Sequence, residues 1–464
     1  MIVKQIYTQC LAQGAYFMAS QAEAVIIDPL REFQPYLDLA ASNNAKIKYI
    51  LLTHFHADFV SGHVDLAKKT GATIVLGPNA QADYDFYSAK EGDTFSIGNL
   101  KLQILHTPGH TMESSCYLLF DEEGKEQALF TGDTLFIGDV GRPDLAVKSH
   151  LTTADLAGHL YDSLHNKIMS LPDDITIYPA HGAGSACGKN MSSETSDTLG
   201  NQKKTNYALN SSLTRDEFIK EVSSGLALPP VYFPLNVAMN KTVNKSFEDV
   251  LEQGTKPLSV DEFKRLRKQE DVLVLDTRSN SAFAKAHIPK SWFIGLNGQF
   301  APWVGTLIPN IKQKLIILAD SGKEKEVVTR LARVGYDNTL GYLEGGIEAW
   351  QNSGKSIENI EEMNAQLFVD KLGAGEINNA LDVRKDAEFK TSHIEEINHI
   401  PLSQIHQKIN NLNADETYHI HCAGGYRSLI FASIAKAKGI QEVVNISGGY
   451  GAIKKSQLKN LKLT

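Results

Sequence analysis

The segment Thr53-His54-Phe55-His56-Ala57-Asp58-Phe59 sets two imidazoles two residues apart, with a carboxylate two further on. In an extended or looped segment, side chains at i and i+2 share a face, so both rings can reach one cavity. Three more segments offer compatible ligands: Thr107-Pro108-Gly109-His110, Thr131-Gly132-Asp133-Thr134 and Tyr178-Pro179-Ala180-His181. Any one of these histidines alone would be an ordinary structural hydrogen-bonder. A set of ligand-type residues gathered at the ends of apolar runs points instead to a metal. Position 59 bears on which chemistry follows. Two-metal hydrolases built on such a segment need histidine there, and the Phe59 side chain cannot ligate. The chain therefore keeps ligands for one metal and lacks a natural ligand for a second. That moves the chemistry from metal-assisted hydrolysis towards a single redox metal with open coordination positions.

A second constellation lies near the C-terminus: His421-Cys422-Ala423-Gly424-Gly425-Tyr426-Arg427-Ser428. Cys422 falls where a strand ends and a helix, expected over Ser428 to Lys438, begins. Backbone N–H groups at a helix N-terminus stabilise a thiolate, and Arg427 adds positive charge. The glycines let backbone amides point inwards to cradle a persulfide or an oxyanion. Cys422 and Arg427 are thus the candidate catalytic pair, and the loop Ala423, Gly424, Gly425 and Tyr426 is the candidate substrate cradle. A buried structural cysteine would need neither the glycines nor a closing arginine.

The elements that must position these groups are short. Apolar runs such as Ala24-Val25-Ile26-Ile27-Asp28 and Lys48-Tyr49-Ile50-Leu51-Leu52 alternate with turns through the first two hundred residues. Each ligand segment follows such a run, as expected where a sheet delivers side chains into a shared crevice. The stretch Ser192 to Lys204 is polar and reads as an irregular surface loop, followed by a helix over Thr214 to Val222 with Thr214 and Asp216 at its start. The rest of the chain holds a weak internal repeat. Val272-Leu273-Val274-Leu275-Asp276-Thr277-Arg278 matches Asn379-Ala380-Leu381-Asp382-Val383-Arg384, and Lys314 to Asp320 matches Thr417 to Cys422. Leu343-Glu344-Gly345-Gly346 matches Ile446-Ser447-Gly448-Gly449. Each copy alternates strands and helices, which suits a small open α/β domain with a parallel sheet. A polar linker around Ser356 to Asn364 separates the copies. We therefore expect three domains, over 1–250, 255–355 and 365–464.

Composition narrows the class. At 464 residues the chain is too long for one core, and 42% hydrophobic with 22% charged residues describes a soluble globular protein. A net charge of −8 and no Lys/Arg block argue against nucleic acid. No apolar run approaches the ~20 residues that cross a bilayer, so no membrane partner is expected. Met1-Ile2-Val3-Lys4-Gln5-Ile6-Tyr7 reads into a strand and not into a signal peptide. The four cysteines are scattered, unlike a disulfide framework, which suits a reducing, cytoplasmic compartment. Cys10 and Cys116, in apolar surroundings, are expected to be core residues.

The segments around His54, His110, Asp133 and His181 together resemble the metallo-β-lactamase superfamily, and within it the persulfide dioxygenases. The resemblance covers the first ~200 residues and implies an αββα sandwich. It implies one Fe(II) per chain held by His54, His110 and Asp133. His56, Asp58 and His181 would then surround the ligands or line the substrate pocket. Gly141-Arg142-Pro143-Asp144-Leu145 resembles the family's segment after the aspartate ligand, and a salt-bridged loop is the simpler role for Arg142 and Asp144. Cys187, in the small-residue loop after His181, could carry a persulfide or modulate the metal site. With only Lys189 nearby to lower its pKa, an unreactive loop thiol is the simpler reading.

Both repeats resemble rhodanese sulfurtransferases and imply two open α/β domains. In the first copy the active loop reads Asp320-Ser321-Gly322-Lys323-Glu324-Lys325, with Asp320 at the place of Cys422 and Lys325 at that of Arg427. A carboxylate cannot accept a sulfane sulfur, so this copy should be silent, with a structural or assembly role and a homo-oligomer as the expected state. In the second copy Glu395-Glu396 follows His393-Ile394 where the first copy has Pro289-Lys290. Joined, the modules imply oxidation of low-molecular-weight thiol persulfides with O2 to sulfite, then transfer through Cys422 to give thiosulfate. A thioester hydrolase like glyoxalase II, fused to a sulfurtransferase, is the alternative that Phe59 disfavours. A non-enzymatic sulfur carrier or sensor is the other.

Overall fold

The computed structural model describes residues 1–147, 151–226, 228–395, 397–457 and 462–464. The position of Glu396, singled out above, lies outside the described residues. The chain forms two compact units, Met1–Phe247 with Ala332–Gly335, and Glu248–Leu331 with Tyr336–Thr464.

The first unit is an αββα sandwich. One six-stranded sheet runs in chain order from Ile2–Thr8 through Gln13–Ser20, Glu23–Ile27, Lys46–Leu51 and Thr73–Leu76 to Tyr87–Ser88. The other has the order Asp197–Thr198, Thr176–Pro179, Glu126–Gly132, Ser115–Phe120, Leu100–His106, Thr94–Ile97. Strands buried on both faces explain why the sequence shows continuous apolar runs and little alternation. In Ser115–Phe120 every residue is buried. Tyr117 and Leu119 pack between the sheets against Met18, Val25 and Leu51. Cys116, Leu118 and Phe120 face the helical layer, where Ala157 and Leu160 of helix Thr153–Ser163 meet them. Cys116 is thus a core residue, and burial raises its thiol pKa to about 11. Cys10, by contrast, is half-buried and not part of the core.

The helix expected from Thr214 forms over Arg215–Ser223. Thr214 and Glu217 make reciprocal hydrogen bonds across its first turn. The polar stretch 192–204 departs from the expected loop. Strand Asp197–Thr198 pairs with Thr176–Pro179, and the Thr198 hydroxyl caps helix Leu199–Thr205 by accepting from Asn201 N–H at 3.2 Å. One apolar anchor, Leu199, buried in the core, suffices where a cap satisfies the first turn.

The second unit holds two five-stranded, all-parallel sheets of one topology. Their orders are Pro257–Leu258, Thr339–Leu343, Lys314–Leu318, Val272–Asp276, Trp292–Phe293, and Glu361–Asn364, Glu442–Ser447, Thr417–His421, Ala380–Asp382, Asn398–His399. The repeat in sequence is therefore a repeat in fold. Glu361–Asn364, expected within a polar linker, is the edge strand of the second sheet. Its backbone pairs with Glu442–Ser447, Met363 is buried, and the exposed Glu361 and Glu362 suit an edge. The Asp-x-Arg motif ends the same strand in each copy. Asp382 takes Arg384 Nε and Nη2 at 2.9 and 2.5 Å, and Asp276 takes Arg278 Nε and Nη2 at 2.9 and 2.6 Å. All four residues are buried, and removing one partner of such a pair costs about 3–5 kcal/mol.

Candidate metal centre and cysteine site

Parallel pairing brings the ligand segments together. Gly132 pairs with Pro179, so Asp133 and His181 leave adjacent strands at the same end. Ile27 pairs with Leu51, so Asp28 and Thr53 leave side by side in the other sheet. Gly132, at φ +53°, lets these loops meet: a Cβ there would lie 2.5 Å from Thr53 Cβ.

Three histidines present a bare Nε2 to the crevice. His110 Nδ1 lies 2.9 Å from the Arg142 carbonyl, which can only accept, so Nδ1 carries the proton. His181 Nδ1 faces the Ala12 carbonyl at 3.3 Å by the same logic. For His54 the partner is Thr53 Oγ1 at 3.0 Å, and that hydroxyl donates its own proton to Asp28 Oδ2 at 2.7 Å. Thr53 therefore accepts from His54 Nδ1. This outer layer of hydrogen bonds orients imidazoles as ligands do in metal sites. Burial, then the neighbouring His56, hold the His54 pKa well below its ordinary value, so the ring is neutral.

His54, His110 and Asp133 form one group whose potential ligand atoms all lie within 4.8 Å of one another. Asp133 Oδ2 stands 3.8 Å from His54 Nε2 and 3.5 Å from His110 Nε2. His56, Asp58 and His181 form a second such group, and Asp133, His181 and Cys187 a third. The donor set fits a metal ion. Both Asp133 oxygens, Asp58 Oδ1 and His181 Nε2 are buried without a hydrogen-bond partner among the described residues, an arrangement costly without a cation.

His56 is turned differently. Its Nε2 lies 3.0 Å from Asp28 Oδ1, and its ring stacks on Phe59 with centroids 4.3 Å apart. Burial opposes protonation of His56, but the Asp28 carboxylate outweighs it and the pKa ends above its ordinary value. Asn240 braces this loop: its Nδ2 donates to the His56 and Phe59 carbonyls, both at 2.8 Å, and its Oδ1 accepts from Ser61 N–H. Sequence reading missed Asp28 and Asn240. Asp28 closes the apolar run Ala24-Val25-Ile26-Ile27, and its adoption of φ +50° is visible only in the fold.

Arg142 forms the bidentate pair with Asp144 expected of it, at 2.6 and 2.7 Å. Its backbone N–H also donates to the Cys187 carbonyl at 2.9 Å, tying the cysteine loop to the histidine it orients. Cys187 is buried, and its burial, then the Asp58 and Asp133 charges, push the thiol pKa well above its ordinary value. Lys189, the candidate activator, donates instead to the Glu221 and Ser224 carbonyls.

In the second unit Cys422 follows strand Thr417–His421, and helix Tyr426–Ala437 begins two residues before the expected Ser428. Tyr426 and Arg427 therefore belong to its first turn. Gly425 N–H donates to Cys422 Sγ at 3.1 Å, with Gly425 at φ +99°, and the Ser428 hydroxyl lies 3.5 Å from the sulfur. The Arg427 fork closes on Glu388 at 2.6 and 2.8 Å. A cavity of about 500 Å³ opens over this loop, lined by Cys422, Ala423, Gly424, Tyr426 and Arg427. Its other wall was not expected. Gln299 and Trp303 come from the cysteine-less copy, and the Tyr426 hydroxyl donates to the Gly295 carbonyl at 2.9 Å. No local signal marks Gln299 or Trp303, because their role arises from packing between modules within this unit.

Comparison with known proteins agrees with this architecture. Residues 10–181 match the metallo-beta-lactamase superfamily, and residues 259–353 and 364–456 match the rhodanese-like domain. The chain belongs to the metallo-beta-lactamase superfamily through its first domain and carries two rhodanese-like domains after it. A crystal structure of a metallo-beta-lactamase from Staphylococcus aureus subsp. aureus COL is 31% identical, with a TM-score of 0.65, over 74% of this chain and 98% of that one. The crystal structure of ETHE1 from Myxococcus xanthus is 29% identical over 52% of this chain and all of that one, with a TM-score of 0.43. A hydroxyacylglutathione hydrolase from Francisella philomiragia is 34% identical over 170 residues, 36% of this chain. The match spans 61% of that curated relative's length. Among the described residues no helix is long and apolar enough to cross a membrane.

Proposed function

We propose that the chain is a persulfide dioxygenase joined to a sulfurtransferase. The observation that carries this reading is the split of the ligand field. His54, His110 and Asp133 group together, while His56 is drawn to Asp28 and packed under Phe59. Two imidazoles and one carboxylate suit Fe(II) and leave positions for a persulfide sulfur and O2. When bound, one iron per chain would supply the activation of O2. The chain's own residues hold His54 and His110 in the liganding tautomer through Thr53, Asp28 and the Arg142 carbonyl, and keep the crevice buried. The net reaction is RSSH + O2 + H2O → RSH + SO3²⁻ + 2H⁺.

At the second site a thiolate cradled by Gly425 N–H takes the outer sulfur of a small persulfide: RSSH + Cys422-S⁻ → RS⁻ + Cys422-SSH. Sulfite then attacks that sulfur, the S–S bond to Cys422 breaks, and thiosulfate and a proton leave: Cys422-SSH + SO3²⁻ → Cys422-S⁻ + S2O3²⁻ + H⁺. The rhodanese-like match and the open cavity over Cys422 support this half of the reading. Thiol persulfides, O2, sulfite and thiosulfate are the small-molecule partners, and the setting we propose is sulfide detoxification in the cytoplasm. One chain would raise the effective concentration of sulfite near the acceptor persulfide.

The competing reading is thioester hydrolysis at the first site. It is favoured by the second ligand group, His56, Asp58 and His181, and by the hydroxyacylglutathione hydrolase relative. Anaerobic purification with metal analysis, followed by product identification after adding glutathione persulfide and O2, separates the two. Iron with stoichiometric O2 uptake supports the dioxygenase; zinc, no O2 uptake and hydrolysis of S-lactoylglutathione would overturn it.

A further inference from the structure

Sulfur transfer at Cys422, on which this inference rests, leaves one charged group at the cavity unexplained. Glu388 lines the cavity with Lys385 and Arg427. Its two oxygens fill the Arg427 fork, accepting from Nη1 at 2.6 Å and Nη2 at 2.8 Å. Oε2 also accepts the Lys385 backbone N–H at 3.1 Å, at the first turn of helix Asp386–Thr391, so the carboxylate is anchored in place. The Arg427 bond, first among its causes, holds the Glu388 pKa below the usual carboxylate range, and the charge persists at neutral pH. A guanidinium fork is the group best shaped to capture an oxyanion, and here a carboxylate already occupies it.

The silent copy provides an internal comparison. Phe283 stacks on His287, and Phe389 on His393, at centroid distances of 4.2 and 3.8 Å, which fixes the register between the copies. Ala282 then stands where Glu388 stands, just as Asp320 replaces Cys422 and Lys325 replaces Arg427. That copy builds the same sheet order without a glutamate, and its equivalent helix Asn280–Lys285 starts on a Ser279 cap instead. The carboxylate is present where the cysteine and arginine are present and absent where they are absent.

We infer that Glu388 is a specificity-determining residue, an internal competitor for Arg427 that holds down the cavity's affinity for small oxyanions such as sulfite and thiosulfate. The cavity is thereby left to organic persulfides, whose carrier can lie along Trp303 and Gln299 in about 500 Å³ of space. An entering oxyanion meets an Arg427 whose Nη1 and Nη2 are already engaged by Glu388, and has to compete with that carboxylate for its charge. Lys385 adds a second positive charge, but it is exposed and its pull on anions is screened by water and salt.

The test uses the full chain and two alkylating probes, anionic iodoacetate and neutral iodoacetamide. With each, the Cys422 thiolate forms a C–S bond and iodide leaves. Rates at Cys422 are read by mass mapping of its peptide. Glu388→Gln keeps an acceptor for Arg427 but removes the charge, so the iodoacetate-to-iodoacetamide rate ratio should rise about five- to tenfold. Glu388→Asp, which keeps the charge, should stay close to the wild-type ratio. The iodoacetamide rate within each variant controls for changed exposure of the thiol. A ratio that is unchanged or lower in Glu388→Gln would show that Glu388 merely positions Arg427, and would overturn the inference. In sulfur transfer from thiosulfate to cyanide, the same variant should lower KM for thiosulfate. Alkylation needs no turnover, so a wild-type chain that forms no thiosulfate from glutathione persulfide and sulfite beyond the uncatalysed rate would sink the sulfur-transfer reading while the ratio still decides the role of Glu388.

Discussion

Phe59 stacks on His56, ring centroids 4.3 Å apart at 27°, while His56 Nε2 approaches the Asp28 carboxylate at 3.0 Å. A group that would ligate a second metal in a two-metal hydrolase is thus replaced by one that packs a neighbouring imidazole. Phe59→His should raise metal occupancy above one per chain under excess zinc, because it adds an imidazole beside Asp58 and His181. A stoichiometry fixed at one would show that Phe59 is not what limits the site.

Removing a ligand should silence one activity and spare the other. His54→Ala or Asp133→Ala should abolish iron binding and O2 uptake, while transfer of sulfur from thiosulfate to cyanide at Cys422 continues. The two sites draw on separate cores, which is why the effects should separate. Full O2 uptake in His54→Ala would disprove the assignment of iron to this group.

The outer hydrogen bonds can be tested apart from the ligands. Thr53→Val keeps the shape of the side chain but cuts the His54–Thr53–Asp28 relay. Iron affinity, read by competition with a chelator, should fall about 10–100-fold, the usual loss when such a support is removed. Unchanged affinity would mean that packing alone orients His54.

Product identity tests the coupling of the two halves. Wild type should turn persulfide and O2 mainly into thiosulfate, and Cys422→Ser should consume O2 but release sulfite, since serine cannot hold a sulfane sulfur. Asp320→Ala should leave the product ratio as it is. Thiosulfate as the main product of Cys422→Ser, after correction for the uncatalysed reaction, would assign the last domain to another acceptor.

Acid should weaken the last domain through His421. Burial lowers its pKa from 6.5 to about 4, and its ring stands between Phe368 and Tyr450 without a hydrogen-bond partner among the described residues. Folded, the imidazole stays neutral; unfolded, it takes up a proton below pH 6.5. Its contribution is therefore fully present above that pH and is lost as pH falls towards 4, by up to roughly 3 kcal/mol. His421→Phe should flatten this part of the acid limb in thermal unfolding at pH 7 and 4.5. An equal fall in both proteins would place the titration elsewhere.

Much of the site was legible because it is local. A ligand two residues past a strand end, or a cysteine before a helix, is set by a few φ/ψ choices near it, and the residues involved are neighbours in the chain. The repeat was legible for a related reason: Val272–Asp276 and Ala380–Asp382 carry the same buried Asp-x-Arg pair, written in adjacent letters. The stretches 192–204 and Glu361–Asn364 were misread because their elements owe little to their own apolar content. A cap at Thr198 and pairing with Glu442–Ser447 make them regular.

What tertiary structure alone decided is which distant residues complete each site. Asp28 reaches His56 because two parallel strands end in register, and Asn240 reaches Phe59 across 181 residues of sequence. Gln299 and Trp303 reach the Cys422 cavity because two modules pack against each other. Hydrogen-bond and packing energies fall off within a few ångströms, so these roles depend on separation in space. Motif spacing records only separation along the chain.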